Sequence, residues 1–162
     1  MVLASALLAG GCGPSDDTAP KETAEQLPGG GGPAGGSAFH NVHYRDQNLT
    51  DEGFAKWLGE QDRVGLIQLD FSGNKLTAAS VEALAKVNIG SVYTLQLSRN
   101  PIGDEGVELI AKHKRSEELG NLYLDHIGMT DRGAVALAAS PNVASLLYLA
   151  VGGNELTAAG IA

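Results

Sequence analysis

The 162-residue sequence contains one cysteine, Cys12, so no disulfide can close within the chain and no cysteine-based metal cluster can form. Basic residues are scarce as well: 11 Lys and Arg stand against 19 Asp and Glu, for a formal net charge of -8 at pH 7. From Phe39 onward the balance is still 15 acidic to 10 basic residues. Nucleic acids and anionic membrane surfaces are bound through a basic field that neutralises phosphates, and this composition does not supply one. The small cluster Lys112, Lys114 and Arg115 is followed at once by Glu117 and Glu118 and reads as a solvated helix end and loop. A long hydrophobic run is missing too. The apolar stretch Val2 to Ala9 (VLASALLA) is far too short to span a bilayer, although it has the size of a signal-peptide core.

What the sequence does have is a period. Leu66, Leu69, Phe71, Asn74 and Leu76 are spaced L-x-x-L-x-F-x-x-N-x-L, and Val92, Leu95, Leu97, Asn100 and Ile102 restate that spacing. The last apolar position of each copy falls at Leu49, Leu76, Ile102, Met129 and Leu156, at intervals of 27, 26, 27 and 27 residues. Four residues later stand Gly53, Gly106, Gly133 and Gly160, with Ser80 in the second copy. A fixed period of this size marks a solenoid, in which no unit folds alone and neighbours share one core.

These residues carry a resemblance. The pattern resembles the leucine-rich repeat superfamily, and the L-T-D-E-G, I-G-D-E-G and M-T-D-R-G segments look like its ribonuclease-inhibitor-like class. The resemblance implies an α/β fold, a short right-handed β-α horseshoe segment with parallel strands on the concave face and helices on the convex face. About five repeats fill residues 39–162, the last incomplete. The expected strands lie around 42–44, 69–71, 95–97, 122–124 and 149–151, with helices starting near 52, 79, 105 and 132.

Within each strand the two-residue alternation separates a buried face from a wet one. Leu69 with Phe71, and Leu95 with Leu97, point inward, while Gln68, Asp70 and Ser72, and Thr94, Gln96 and Ser98, are expected to face water. Val81, Leu84 and Ala85, then Val107, Ile110 and Ala111, keep helical spacing and are expected to wall the same core. The first repeat is polar on its outer strand face, with Asn41, His43 and Arg45, as befits a unit that caps the stack. It has Gln47 in the asparagine position, and Trp57 is expected to pack inward. The resemblance implies that Asn74, Asn100 and Asn154 hydrogen-bond backbone groups of the turns. Ile127 occupies that position in the fourth repeat, whose turn must be satisfied differently or be looser. After Ile161 no polar cap follows, so this end is expected to be covered by a partner or a second copy, or to belong to a longer array.

The N-terminal part reads differently. Leu8-Ala9-Gly10-Gly11-Cys12 resembles a bacterial lipobox, which implies a leader over 1–12 and lipidation of Cys12. A cleaved secretory signal and an accidental apolar start of a cytoplasmic protein are the alternatives. Residues 13–38 (GPSDDTAPKETAEQLPGGGGPAGGSA) have almost no large apolar side chains and are expected to form a disordered Pro/Gly-rich linker, a tether holding the repeat domain off a membrane.

Signals for catalysis are thin. His40, His43, His113 and His126 fall in different repeats or on different faces, without H-E-x-x-H or similar ligand spacing. Asp125 and His126 are adjacent, but the pattern brings no serine or cysteine nucleophile beside them. Gly29 to Gly32 has no preceding strand and no following Gly-Lys-Ser/Thr, so it is not a phosphate loop. No catalytic residue, metal ligand or cofactor is therefore assigned. The central outward strand positions are His43, Asp70, Gln96, Tyr123 and Ala150. A protein-binding site is expected at Asn121, Tyr123, Asp125 and Tyr148, with the tyrosines as anchors because they join rigid apolar area to a hydroxyl. The expected function is a non-catalytic protein-binding module of a cell-envelope lipoprotein that meets the membrane only through its lipid anchor and does not bind nucleic acid. One alternative is a structural or accessory repeat protein that self-associates through its C-terminal end. Another is a cytoplasmic enzyme regulator similar to GTPase-activating members of the class, resting on Arg99 and Arg132.

Overall fold

The computed structural model describes residues 40–60, 66–87, 92–113 and 119–161. The leader with Cys12, the 13–38 linker, and Lys114, Arg115, Glu117 and Glu118 lie outside the described residues. Strands and helices alternate: β1 (His40–His43), α1 (Asp51–Glu60), β2 (Leu66–Asp70), α2 (Ala78–Ala85), β3 (Thr94–Gln96), α3 (Gly103–Lys112), β4 (Asn121–Tyr123), α4 (Asp131–Ala138), β5 (Tyr148–Ala150) and α5 (Ala158–Ile161). A 3-10 turn, Pro141–Val143, lies between α4 and β5. The five strands form one sheet in the order β1-β2-β3-β4-β5, and every pairing is parallel. The fold is an α/β solenoid of the kind expected.

The register explains the core. Val42, Leu69, Leu95, Leu122 and Leu149 are paired in one row across the sheet, so one inward side chain per repeat stacks on the next. Leu69, Leu95 and Leu122 are fully covered, whereas Leu149 on the edge strand is 43% exposed. From the other side Val81, Leu84, Val107, Ile110, Ala111 and Leu137 close the core. Ala85 is only half-buried. The first repeat contributes an aromatic plug, in which Phe71 meets Phe54 and Trp57 edge-on at ring-centroid distances of 4.8 and 4.9 Å and stacks on Tyr44 at 5.8 Å. Trp57 is buried at the centre of this plug.

The observed strands end one residue short of the expected ranges or start earlier, because their ladder continues past the regular pairing. Phe71 N–H donates to Gln96 O, Leu97 N–H to Tyr123 O and Leu124 N–H to Ala150 O, so the expected residues are still held to their neighbours. Helix α3 begins at Gly103, two residues before the expected start, and the last repeat forms a single turn of helix at Ala158–Ile161. Asp70 and Ser72 were expected to face water, and both are buried. The Ser72 hydroxyl and N–H donate to Asp70 Oδ1 while Arg45 Nη2 donates to Oδ2 at 2.9 Å, and these partners close over the carboxylate.

Two hydrogen-bonded rows join the repeats. Asn74 Oδ1 accepts from Gln47 N and Leu49 N of the preceding turn, and its Nδ2 donates to Tyr44 O and Phe71 O. Asn100 serves Leu76 N, Phe71 O and Leu97 O, and Asn154 serves Ile127 N, Met129 N, Leu124 O and Val151 O. Ile127 has no amide to offer the turn of the third repeat. There Ile102 N–H turns back onto Asn100 O at 2.8 Å, Pro101 has no N–H to satisfy, and Gly103 N–H donates to Ile127 O. These backbone bonds and the Asn100 amide on Leu97 O and Ser98 O hold the turn, and Ile127 itself is buried.

The second row runs along the helix starts. Asp51 accepts from Thr77 N–H at 2.8 Å, the Thr77 hydroxyl at 2.7 Å and the Ser80 hydroxyl at 2.5 Å. Asp104 accepts from Thr130 N–H, the Thr130 hydroxyl and Gly133 N–H, and Asp131 from Thr157 N–H and its hydroxyl. Thr77, Thr130 and Thr157 in turn accept from the N–H two residues on, so each cap is tied to the previous helix. Where the row is interrupted both halves are missing together, since Ala78 stands in the aspartate position and Gly103 in the threonine position one repeat later.

This row makes stability depend on pH. Burial raises the Asp51 and Asp104 carboxyls, but hydrogen bonds from Ser80 and Thr77, and from Thr130 and Gly133 with the charge of Arg132, outweigh it and hold both below the usual aspartate value. The Thr157 hydroxyl and N–H lower Asp131 against the opposing effects of burial and Asp104. A carboxyl whose folded value is lowered stabilises the fold above its unfolded value, near 4, and the contribution is lost as pH falls through the folded value. The thermal midpoint is therefore expected to be nearly flat from about pH 7 to 5 and to drop below about pH 4. Replacing Asp51, Asp104 and Asp131 together by Asn should make that drop shallower, and a variant with an undiminished drop in a pH series of melting curves contradicts the assignment.

Candidate protein-binding face

The sheet face away from the helices presents three outward positions per repeat in successive columns. From β1 to β5 these are Asn41, His43 and Arg45; Gln68, Asp70 and Ser72; Thr94, Gln96 and Ser98; Asn121, Tyr123 and Asp125; and Tyr148, Ala150 and Gly152. The parallel register therefore brings the four expected site residues onto two adjacent strands. Tyr123 and Tyr148 touch, with ring centroids 5.1 Å apart and planes inclined by 39°. Tyr148 is 51% exposed, while Tyr123 is half-buried between its neighbours. Asn121 Nδ2 donates to Thr94 Oγ1 at 3.1 Å, which ties the fourth repeat to the third beside the rings.

Asp125 behaves differently from its neighbours. Its Oδ1 accepts from Gly152 N–H at 2.7 Å and its Oδ2 from the Ser98 hydroxyl at 3.2 Å, so it fixes three repeats together at the rim. His126, adjacent in sequence, diverges from it: its φ is +53°, and its ring lies over Gly153, where any Cβ would collide with it. The two do not form an acid-base pair. His43 sits on β1 with Nδ1 4.0 Å from Asp70, and His113 Nε2 donates to Ala85 O at 3.0 Å on the helix side.

The N-terminal end of this face is electrostatically closed. Burial raises the Asp70 carboxyl, but the Ser72 hydroxyl, the Ser72 N–H and the Arg45 guanidinium lower it further than burial raises it. It remains a carboxylate with its partners in place, and Arg45 covers it from solvent. That arrangement was not evident from the alternation alone, although an Arg on the same face one repeat earlier, two positions beyond the His43 that pairs with Asp70, is its signal in the sequence.

Away from the strand face, a depression of about 630 Å³ opens at the turns of the third and fourth repeats, lined by Arg99, Asn100, Pro101, Gly103, His126, Ile127 and Gly128. Arg99 stands there in the left-handed region, at φ +58°, with its Nη2 3.9 Å from Asp46 Oδ1. Arg132 is occupied on the helix side by Asp104 and Glu108, so Arg99 and Arg132 do not converge on one site. Among the described residues no group of three or more His, Cys, Asp or Glu side chains is placed to hold a metal ion, and no helix is long and apolar enough to cross a membrane.

A parallel β-α solenoid with an exposed strand face defines the class of the protein as a repeat scaffold. The Leucine Rich repeat family model matches residues 66–85 and 92–111, the second and third repeats, each from the start of its strand to its helix. These two repeats are similar to leucine-rich repeats, a superfamily whose domains generally bind proteins. No curated protein matches the chain.

Proposed function

We propose that the chain is a non-catalytic protein-binding module whose strand face, at Asn121, Tyr123, Asp125 and Tyr148, receives a protein partner, and that Cys12 carries a lipid that holds it at a bacterial cell envelope. The observation that supports the site best is the contact between Tyr123 and Tyr148, the one pair of touching aromatic rings on the strand face among the described residues. Aromatic side chains with an exposed face and a held position supply contact area at low entropic cost, and tyrosine is enriched among residues that dominate interfaces. The opposite end of the face has its charges already paired with each other. Replacing Tyr123 and Tyr148 together by Ser is expected to weaken partner binding by more than about 2 kcal/mol, and replacing His43 and Asp70 to change it little by comparison. Titration calorimetry with the opposite ranking moves the site to the N-terminal half. A second copy of the chain is the other partner that an observation favours, since Leu147, Tyr148 and Leu149 are all exposed at β5, and sedimentation over a concentration series distinguishes it from a heterologous protein.

The lipoprotein assignment rests on the lipobox-like Leu8-Ala9-Gly10-Gly11-Cys12. In bacterial expression the protein is expected in the detergent phase, and Cys12→Ala should abolish membrane attachment and leave unprocessed precursor, because several acyl chains anchor stably where one does not. An intact mass showing an unmodified Cys12 behind an uncleaved Met1 would falsify it.

A further inference from the structure

We propose that β4 and β5 carry a seat for an organic cation with N–H groups to donate, a guanidinium or primary ammonium group, held between the Tyr123–Tyr148 rings and the Asp125 carboxylate; this rests on the protein-binding reading above and adds the chemistry that the site selects. The two carboxylates of the strand face differ in what holds them. Asp70 is 3% exposed and meets Arg45 at 2.9 Å, so its charge is compensated inside the fold. Asp125 is half-buried, and its side-chain partners, Gly152 N–H and the Ser98 hydroxyl, are both neutral. Among the described residues no Lys, Arg or His forms an ion pair with it. Neutral donors orient a carboxylate without cancelling its charge, and each of its oxygens keeps a lone pair for a further donor. With 15 acidic against 10 basic residues from Phe39 onward, the surrounding field also favours a cation.

The register places the rings and the charge around one notch. Tyr123 is paired with Ala150, and one step further along the same face Asp125 is bonded to Gly152, so beside two large side chains of the fourth repeat the fifth has a methyl group and then no side chain at all. Tyr148, paired with Asn121, stands at the near end of this notch, 51% exposed, with its ring centroid 5.1 Å from that of Tyr123. The π faces of tyrosine carry the negative end of a quadrupole and attract cations. Outward positions two residues apart on a strand are about 7 Å from each other, a distance at which a side chain can lay its methylene stem on Tyr123 and bring its charged head to Asp125. A guanidinium does both at once, since it stacks on an aromatic face and donates in its own plane. A quaternary ammonium suits the rings but has no N–H for the carboxylate. A bare divalent cation is less well matched, because it calls for about six or more oxygen ligands, and no group of three His, Cys, Asp or Glu is placed for one among the described residues.

The test titrates the full chain with end-capped peptides Gly-Gly-X-Gly-Gly, X being arginine, lysine, norleucine or glutamate, and with butylguanidinium as a free cation, following the Gly152 amide by NMR. The arginine and lysine peptides are expected to shift that amide and to bind about 5-fold or more tighter than norleucine, weakening about 3-fold or more between about 0.05 and 0.5 M salt, with no binding of glutamate. Asp125→Asn keeps an acceptor for Gly152 N–H, and is expected to weaken the arginine peptide about 10-fold and remove its salt dependence while the melting midpoint stays unchanged. Tyr148→Leu should weaken it about 3-fold and Tyr148→Phe should not, because the π face and not the apolar area is what the ring contributes. Butylguanidinium binding as tightly as the arginine peptide assigns the seat to a free cation, and a peptide several-fold tighter assigns it to a side chain of the partner. Norleucine binding as tightly as arginine overturns the cation, and its loss on replacing Tyr123 and Tyr148 by Ser leaves the protein-binding site standing. Cation binding indifferent to Asp125→Asn, or no shift with any probe, also overturns the inference, while the partner calorimetry above decides the protein-binding site by itself.

Discussion

Asn100→Ala is expected to lower the unfolding free energy by about 3 to 5 kcal/mol. Asn100 is 1% exposed, and one side chain there serves four backbone groups. Its Oδ1 accepts from Leu76 N–H at 3.1 Å, and its Nδ2 donates to Phe71 O and Leu97 O, both at 2.9 Å, and shares with Ser98 O at 3.3 Å. Alanine leaves these groups buried without partners in a place closed to water, and each such group costs about 1 to 3 kcal/mol. Asn100→Asp keeps the shape but removes both donors and turns a carboxylate toward three carbonyl oxygens, so it should cost at least as much. At Asn154, which serves four groups in the same way but is half-exposed, water replaces the lost partner and the cost should be clearly smaller. Equal effects at Asn100 and Asn154 in chemical denaturation contradict the account, since it depends on burial.

The same residues show what could be read in the chain beforehand. Repeat spacing placed Leu69, Leu95, Leu122 and Leu149 in one row because a parallel stack with a constant period has no other register, and the structure pairs them so. Alternation fails at Asp70 and Ser72, because it reports which side of the sheet a residue takes and not whether other side chains cover it. Arg45 is one repeat away, and only the register makes it a lid on Asp70. The aspartate–threonine row was visible as the recurring Thr50-Asp51, Thr130-Asp131 and Gly103-Asp104 steps, but its role was not. An aspartate at a helix start is ordinarily explained by its own helix, whereas here Asp51, Asp104 and Asp131 each serve the helix of the next repeat. For the strand face, the sequence placed Tyr123 and Tyr148 on neighbouring strands, and their contact follows from a diagonal neighbour distance that long side chains span.

Joint chemistry also varies along the stack. Between the second and third repeats the aspartate–threonine link is missing, and between the third and fourth the asparagine is missing, yet no joint lacks both. In a quasi-one-dimensional fold each interface contributes separately to cooperativity, so a joint deprived of both links is where the stack would separate. The asparagine row and the aspartate–threonine row thus back each other up at successive interfaces, and the strand face stays one surface over all five strands.

Leu97→Ala is expected to cost about 2 to 5 kcal/mol, and the comparison with an edge residue decides whether packing is the cause. Leu97 is 2% exposed between Phe71 of the repeat before, one period away, and Leu124 of the repeat after, and both of these are themselves fully buried. Removing its side chain beyond Cβ loses transfer energy and leaves a cavity that the flanking strands cannot collapse into, because Leu97 N–H is bonded to Tyr123 O and Phe71 N–H to Gln96 O. At Leu149 the same substitution removes a side chain that is already 43% exposed, so the transfer loss is partial and no enclosed cavity remains. Its cost should fall below about 1.5 kcal/mol. Chemical denaturation of the two variants should therefore give a midpoint shift several times larger for Leu97→Ala, without a change of slope if the stack still unfolds as one unit. An unchanged midpoint for Leu97→Ala removes it from the core, and a shallower slope in that variant alone indicates that the repeats on either side of β3 have begun to unfold separately.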